Sequence, residues 1–203
     1  MDSLERLYRA GFISYPRTET TIFHPSIDLS QIVATLCPDE SFGFGPFAMS
    51  LAGKNLVPRK GNSDDKSHPP IHPVKLCSES QLSDETDKVV YKFVCCHFLA
   101  CVAHNAKVER QRITLKAGEH TFSHSSSRIT DKQFLEVYEY QTHQESEGLK
   151  GLLAGEKVEK FQFKKSKGET SPPTPMTEAE LISLMEKHGI GTDATIHSHI
   201  QTI

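Results

Sequence analysis

Two proline clusters constrain this chain more than any other feature. "SHPPIHP" at 67–73 holds Pro69, Pro70 and Pro73, and "SPPTP" at 171–175 holds Pro172, Pro173 and Pro175. Proline removes a backbone donor and clashes with the preceding helical turn, so neither stretch can be helix or central strand. Each must be an irregular loop or a linker, and the 203 residues have to fold in pieces around them. That length admits one or two domains of about 100–200 residues.

Between the breaks, hydrophobic spacing predicts the elements. In "MDSLERLYRA" Leu4, Leu7 and Tyr8 share a helical face, and Gly11 stands where a helix would stop. "FIS" predicts a short buried strand. Short helices are expected over 29–37 and 46–52, then a polar surface loop over 54–65 containing Arg59 and Lys60. Ser83 is placed to cap a long helix to about His104, with Val89, Val90, Phe93, Val94 and Phe98 as its apolar face. Beyond Lys107 the period becomes two. "ITLK", "HTFSHS" and "FLEVYEYQ" predict strands, as does 158–164, with a polar loop at 142–153. After the second proline cluster, Thr177 and Glu180 form a capping box for "EAELISLMEKH", which Gly189 ends. The expected class is α+β. A mixed helical unit spans 1–106, a β-rich unit 107–170, and a helical unit begins at 171–203. The last amphipathic run lacks a stop signal, which predicts a piece of a longer protein.

Composition narrows the partners. The net charge of −3 and pI of about 6.4 exclude a bulk basic field, so any polyanion site must be a local cluster. No apolar run is long enough for a membrane span, and no secretory leader pattern opens the chain. Five cysteines, an odd number, favour free thiols over a disulfide framework. Cys95, Cys96, His97 and Cys101 lie on one predicted helix. Adjacent helical residues point about 100° apart, so packed thiols are expected there and no metal site.

The chemistry concentrates in three short stretches. In "GFISYPRTET" Tyr15 is locked by Pro16 and followed by Arg17, Thr18, Glu19 and Thr20. A phenol is a weak nucleophile unless its proton is drawn away or a cation stabilises its oxygen. Arg17, two residues on, shares a face with Tyr15 in extended chain and can hold a phosphate with its planar fork. From these residues alone, a core tyrosine beside a surface arginine is the competing reading. His68 and His72 have the spacing of a helical zinc pair, but the prolines between them forbid the helix. An imidazole presented on a rigid loop to a phosphate is preferred, with a loop histidine of no role as its alternative. In "EKHGIGTDATIHSHI", Gly191 permits close backbone approach. Thr192 or Asp193 can cap the next helix, which carries Thr195 in its first turn. Turns of this kind also join helices that bind nothing.

Taken together, "YPRTET", "HPPIHP" and "HGIGTDAT", in that order around a β-rich interval, resemble the type IA DNA topoisomerases, most closely the eukaryotic topoisomerase III branch. The resemblance runs through almost the whole chain. It implies a multidomain fragment of the toroidal type IA fold. Residues 1–106 would be the catalytic-tyrosine domain, 107–170 an arch or hinge segment, and 171–203 the start of a helical DNA-binding domain. It implies that Tyr15 is the nucleophile that becomes joined to a 5′ phosphate. Arg17 would hold the scissile phosphate, and His68 would be the active-site histidine. Thr18, His72 and Thr195 would contact DNA. Bacterial motifs carry arginine where this chain has His72 and Thr192, so no cation is carried over at either place. The implied activity is ATP-independent cleavage and religation of one DNA strand, changing DNA topology. Mg2+ would be held by an amino-terminal Toprim domain, with no metal on this chain and no cleavage by the chain alone. Single-stranded DNA is the implied partner, with RNA as an alternative, together with a RecQ-type helicase and OB-fold accessory proteins. The nucleus is the implied location, with mitochondrion or cytoplasm as alternatives. A catalytically silent module that binds single-stranded nucleic acid is the competing reading. Tyr15 and Arg17 together favour the enzyme.

Overall fold

The computed structural model describes residues 1–146, 148, 153–159, 162–192 and 195–203. It divides into two compact units, Met1–Glu109 with Arg128–Glu145, and Arg110–Ser127 with Ser146–Ile203.

The first unit is built on four helices: α1 (Asp2–Arg9), α2 (Leu29–Leu36), α3 (Gly45–Leu51) and α4 (Glu85–Val102). Gly11, at a φ of +77°, follows the end of α1 as its sequence position suggests. Asp28 caps α2 by accepting from the Gln31 N–H at 2.9 Å. The turn into α3 is organised by Asp39, 6% exposed, whose carboxylate accepts from the backbone N–H groups of Ser41, Phe42, Phe44 and Gly45. Gly45 is required there, because a Cβ would lie 2.2 Å from the Asp39 carbonyl oxygen. α4 is capped by Asp84, which accepts from the Thr86 N–H at 2.8 Å, so the helix begins one residue later than a Ser83 cap would place it.

The buried side of α4 also differs from the expected stripe. Tyr91, Cys95, Phe98, Leu99 and Val102 enter the core, whereas Val89 is 62% exposed and Phe93 38%. The residues 87, 91, 95, 98, 99 and 102 keep the i, i+3, i+4 spacing, so two stripes compete on this helix. The one containing the tyrosine hydroxyl wins because that hydroxyl is satisfied: Tyr91 accepts from the Cys77 N–H and donates to the Lys75 carbonyl. Cys95 and Cys96 are buried as packed thiols, and Cys101 is half-buried. The same core takes Leu7 of α1, Phe12 and Ile13 of the "FIS" segment, Val33 and Leu36 of α2, and Phe44 and Ala48 around α3.

The loop at 54–65 is not simply basic surface. The Val57 and Arg59 N–H groups donate to the carbonyls of Val102 and Cys101 at the end of α4. The Arg59 guanidinium donates to the Ala100 carbonyl and lies 4.4 Å from the Phe134 ring centroid. Residues 133–141 form a 3-10 turn (Gln133–Glu136) and loop instead of the expected strand. Phe134, Val137 and Tyr138 pack on the core at a spacing of three and four, which the alternation of "FLEVYEY" also contains.

The second unit carries most of a hairpin, β1 (Lys107–Ala117) and β2 (His120–Asp131), turned at Gly118 with φ +61°. The Lys107–Asp131 ion pair closes its base within the first unit. α5 (Glu178–Lys187) opens on the expected capping box: Thr177 accepts from the Glu180 N–H and Glu180 from the Thr177 N–H. It ends at Gly189, φ +65°, and meets α6 (Ile196–Thr202), with Met185 and Ile196 buried. Residues 160 and 161 of the expected strand at 158–164 lie outside the described residues, and its described residues form no strand. Among the described residues no helix is long and apolar enough to cross a membrane.

Candidate active site

Two irregular segments, 12–21 and 61–74, lie side by side and carry the candidate chemistry. Neither has a regular ladder, so their backbone groups are satisfied singly. Ile13 forms an isolated antiparallel bridge with Pro73, the Val74 N–H donates to Phe12, and the Ser14 N–H donates to His72. The Ser14 hydroxyl accepts from the His72 N–H at 2.9 Å and donates to the Pro70 carbonyl at 3.3 Å. Further along, Thr21 pairs with the 61–63 turn. Its hydroxyl accepts from the Asn62 and Ser63 N–H groups, and its own N–H donates to Ser63. Gly61 makes the approach possible, since a Cβ there would lie 2.0 Å from the Thr21 hydroxyl. The prolines that exclude helix at 67–73 thus supply a rigid rail beside the tyrosine segment.

Tyr15 is half-buried between two rings on this rail. The His68 imidazole lies 4.8 Å from it at an interplanar angle of 32°, and Tyr8 of α1 meets it edge-on at 5.3 Å. Buried Pro16 fixes the turn that follows. Arg17 is held by Glu5 of α1, which accepts from its Nε at 3.0 Å and also from its Nη2. The hydrogen bond to Glu5 raises the Arg17 guanidinium above its ordinary value, and the charge of Glu5 acts in the same direction. Arg17 is therefore a permanent cation, two residues along the chain from the phenol. α1 in turn is fixed to α4 by a bidentate pair, Arg6 Nη2 and Nε to Asp87 at 2.6 and 2.9 Å.

His68 belongs to a tight turn organised by Asp65. One carboxylate oxygen, Oδ1, accepts from the Ser67 and His68 N–H groups, both at 2.8 Å. The other, Oδ2, is 3.2 Å from His68 Nδ1 and accepts from the Thr18 hydroxyl at 3.4 Å. The Asp65 N–H donates to the buried Thr20 hydroxyl at 3.0 Å. Led by the His68 and Ser67 N–H groups, these bonds hold the Asp65 carboxyl far below the usual carboxylate range. By sequence Asp64 and Asp65 belong to the polar surface loop expected over 54–65. Asp65 is instead the hub of the turn, its side chain 22% exposed. Lys66 takes a left-handed φ of +58° to let the chain fold around it.

The remaining candidates sort by place. Thr18 joins the turn through Asp65. His72 Nδ1 donates to the Pro70 carbonyl at 2.7 Å and its ring packs on Phe23, so burial lowers its proton affinity and keeps it neutral near pH 7. Thr195 lies in the second unit. It stands as the residue preceding α6 rather than in its first turn, and its hydroxyl accepts from the Thr192 N–H at 2.8 Å. Of the two caps weighed for this helix, Asp193 lies outside the described residues. Beside His68 a groove of about 670 Å³ opens, lined by Thr20, His24, Ser26, Lys66 and Ser67 among others. Glu5, Tyr8, Ser14 and Asp65 have no local sequence signal for their roles, because each reaches its partner only after the chain has folded.

The phenol of Tyr15 thus meets His68, and His68 in turn lines the groove. A family model described as DNA topoisomerase matches residues 1–203. The chain is 41% identical to DNA topoisomerase 3 of Caenorhabditis elegans over 100% of its own length and 26% of that relative. It is 40% identical to DNA topoisomerase 3-alpha of Homo sapiens, over 98% of the chain and 19% of the relative. With DNA topoisomerase 3 of Saccharomyces cerevisiae the identity is 38%, over 100% of the chain and 33% of the relative. The chain thus spans about a fifth to a third of the length of these curated relatives. Its fold is similar to full-length topoisomerase I from Thermotoga maritima, with a TM-score of 0.60 and 19% identity, over 94% of this chain and 30% of that one. With the family match running from end to end, the chain belongs to the type IA DNA topoisomerase family, among relatives named DNA topoisomerase 3.

Proposed function

We propose that, in the assembled enzyme, Tyr15 cleaves and reseals one strand of single-stranded DNA. The phenol oxygen attacks a backbone phosphorus and a new O–P bond joins Tyr15 to the 5′ phosphate. The bond from phosphorus to the 3′ oxygen breaks. The phenol gives up its proton and the departing 3′ oxygen takes one, so bonds and charge balance without a nucleotide cofactor. Reversal of the same step reseals the strand. Arg17, oriented by Glu5, stabilises the phosphate charge, and His68 stands against the phenol ring where proton or phosphate has to be handled. The observation that carries this reading is the seating of Tyr15 against His68, with Arg17, held by Glu5, two residues along the chain.

Among the described residues no three His, Cys, Asp or Glu side chains gather as a metal ion would need. By resemblance, Mg2+ would belong to a Toprim domain and would stabilise charge at the leaving oxygen. The rest of the reading follows the same resemblance. Residues 1–106 act as the tyrosine-bearing domain, 107–170 as an arch segment, and 171–203 open a DNA-binding helical domain in which Thr195 contacts the strand. Thr18 and His72 flank the cleavage position. A RecQ-type helicase and OB-fold proteins would be its partners in DNA recombination within the nucleus.

The test is Tyr15→Phe in the full-length protein. It removes one hydroxyl and leaves both ring contacts, so the fold and strand binding should persist while the covalent DNA adduct disappears. An adduct formed by the Phe variant would refute the assignment.

A further inference from the structure

We infer that Asp65 is a positioning residue that holds His68 as its Nδ1–H tautomer and presents Nε2 to the reacting groups. This rests on the reading of Tyr15 as nucleophile and adds to it the state of the histidine stacked on that phenol.

The argument starts from the two carboxylate oxygens, which have separate tasks. Oδ1 accepts from the Ser67 and His68 backbone N–H groups at 2.8 Å each and so shapes the turn. Oδ2 faces His68 Nδ1 at 3.2 Å and accepts from Thr18 at 3.4 Å. An ionised carboxylate has no proton to donate. The contact from Oδ2 is therefore a hydrogen bond only if Nδ1 carries the proton. In a neutral imidazole that leaves the lone pair on Nε2, the nitrogen farther from the backbone. An exposed histidine with no such partner has no fixed preference imposed on it. His68 is 42% exposed on its side chain, and Asp65 is the carboxylate that meets its ring from the loop side. The tilted contact with Tyr15 at 4.8 Å restrains the ring plane, and Asp65 fixes which edge carries the proton. Nε2 can then accept a proton from a phenol or a bound water, and once protonated can donate to a phosphate oxygen.

The division of labour supplies a clean substitution. In Asp65→Asn the amide oxygen can keep the Oδ1 bonds that hold the turn, while its NH2 group replaces Oδ2 and faces Nδ1 as a donor. The tautomer should then invert to Nε2–H without loss of the loop. The measurement is made on the 203-residue chain itself, from the 15N shifts of the His68 ring above the pH at which it is protonated, with backbone amide shifts as the report on the turn. The expected result is Nδ1–H in the wild type and Nε2–H in Asp65→Asn, with the Ser67 and His68 amides still hydrogen-bonded. Nε2–H in the wild type, or the same tautomer in both proteins, would overturn the inference, and the wild-type result decides even if the variant fails to fold. In the full-length enzyme Asp65→Asn should also slow formation of the Tyr15 adduct roughly 10²-fold or more, with strand binding unchanged. A normal rate in that variant sinks the role of Asp65 alone, whereas absence of any adduct at Tyr15 in the wild type sinks the proposed function and leaves the tautomer result standing.

Discussion

At the residue scale the site is a phenol, a cation and an imidazole: Tyr15 meets His68 from across the chain, Arg17 is held by Glu5, and His68 by Asp65 in its own turn. Arg17 can stabilise a phosphate with its fork only if Glu5 keeps that fork aimed. Replacement by Lys keeps the charge and loses the planar geometry, and replacement by Ala loses both. Cleavage and religation by the full-length protein should therefore fall in the order Arg, Lys, Ala, with Ala slower by roughly 10²-fold or more and strand binding far less affected. Rates measured on a labelled oligonucleotide check this, and equal rates for all three would make Arg17 a surface charge. Tyr15, Arg17 and His68 are legible in the sequence because each sits in a motif with its own chemistry. Asp65 is not, since "SDDKS" looks like any polar loop until Thr18 and Thr20, from a segment more than forty residues earlier, arrive beside it. Ser14, Tyr8 and Glu5 are hidden for the same reason.

At the scale of elements, α1 is the support of the site, carrying Leu7 into the core, Tyr8 to the edge of Tyr15 and Glu5 to Arg17. Its polar attachment to α4 is Arg6, which pairs with Asp87 and with the cap residue Asp84, Asp87 being only 7% exposed. Asp87→Ala leaves that guanidinium with Asp84 alone and should lower the midpoint of urea unfolding, with broadened Tyr8 and Tyr15 ring signals in NMR spectra. Unchanged stability would show that the apolar contacts of α1 suffice. Arg6 holds the Asp87 carboxyl below its ordinary range, so this contribution is present above the usual carboxylate pKa and is lost as pH falls through the folded value. Helix positions were largely readable, from Gly11, from the Thr177–Glu180 box and from the apolar spacing. The orientation of α4 was not, because apolar side chains occur on more than one side of it. The choice is made by the hydroxyl of Tyr91, whose partners lie at Cys77 and Lys75. Residues 133–141 show the same ambiguity between period two and a spacing of three and four.

At the scale of the whole molecule, the chain spans about a fifth to a third of relatives named DNA topoisomerase 3 and carries the proposed nucleophile with a net charge of −3. Phosphoryl transfer by a phenol also needs charge stabilised at the leaving oxygen, and strand binding is driven mainly by cationic contacts to phosphate. The 203-residue chain alone should therefore bind single-stranded DNA weakly and neither cleave nor relax it, with or without Mg2+. Relaxation of supercoiled plasmid by the isolated chain would mean that residues described above as loop and core are catalytic. The central claim, that Tyr15 is the group that joins DNA, is tested most directly by mapping the covalent adduct. The full-length protein is incubated with a single-stranded oligonucleotide, stopped with denaturant, digested with protease and nuclease, and the modified peptide is sequenced by mass spectrometry. The phosphate should be found on Tyr15, through the 5′ end of the cleaved strand. A phosphate on Tyr8 or on any other residue, or a linkage to a 3′ end, would contradict the account.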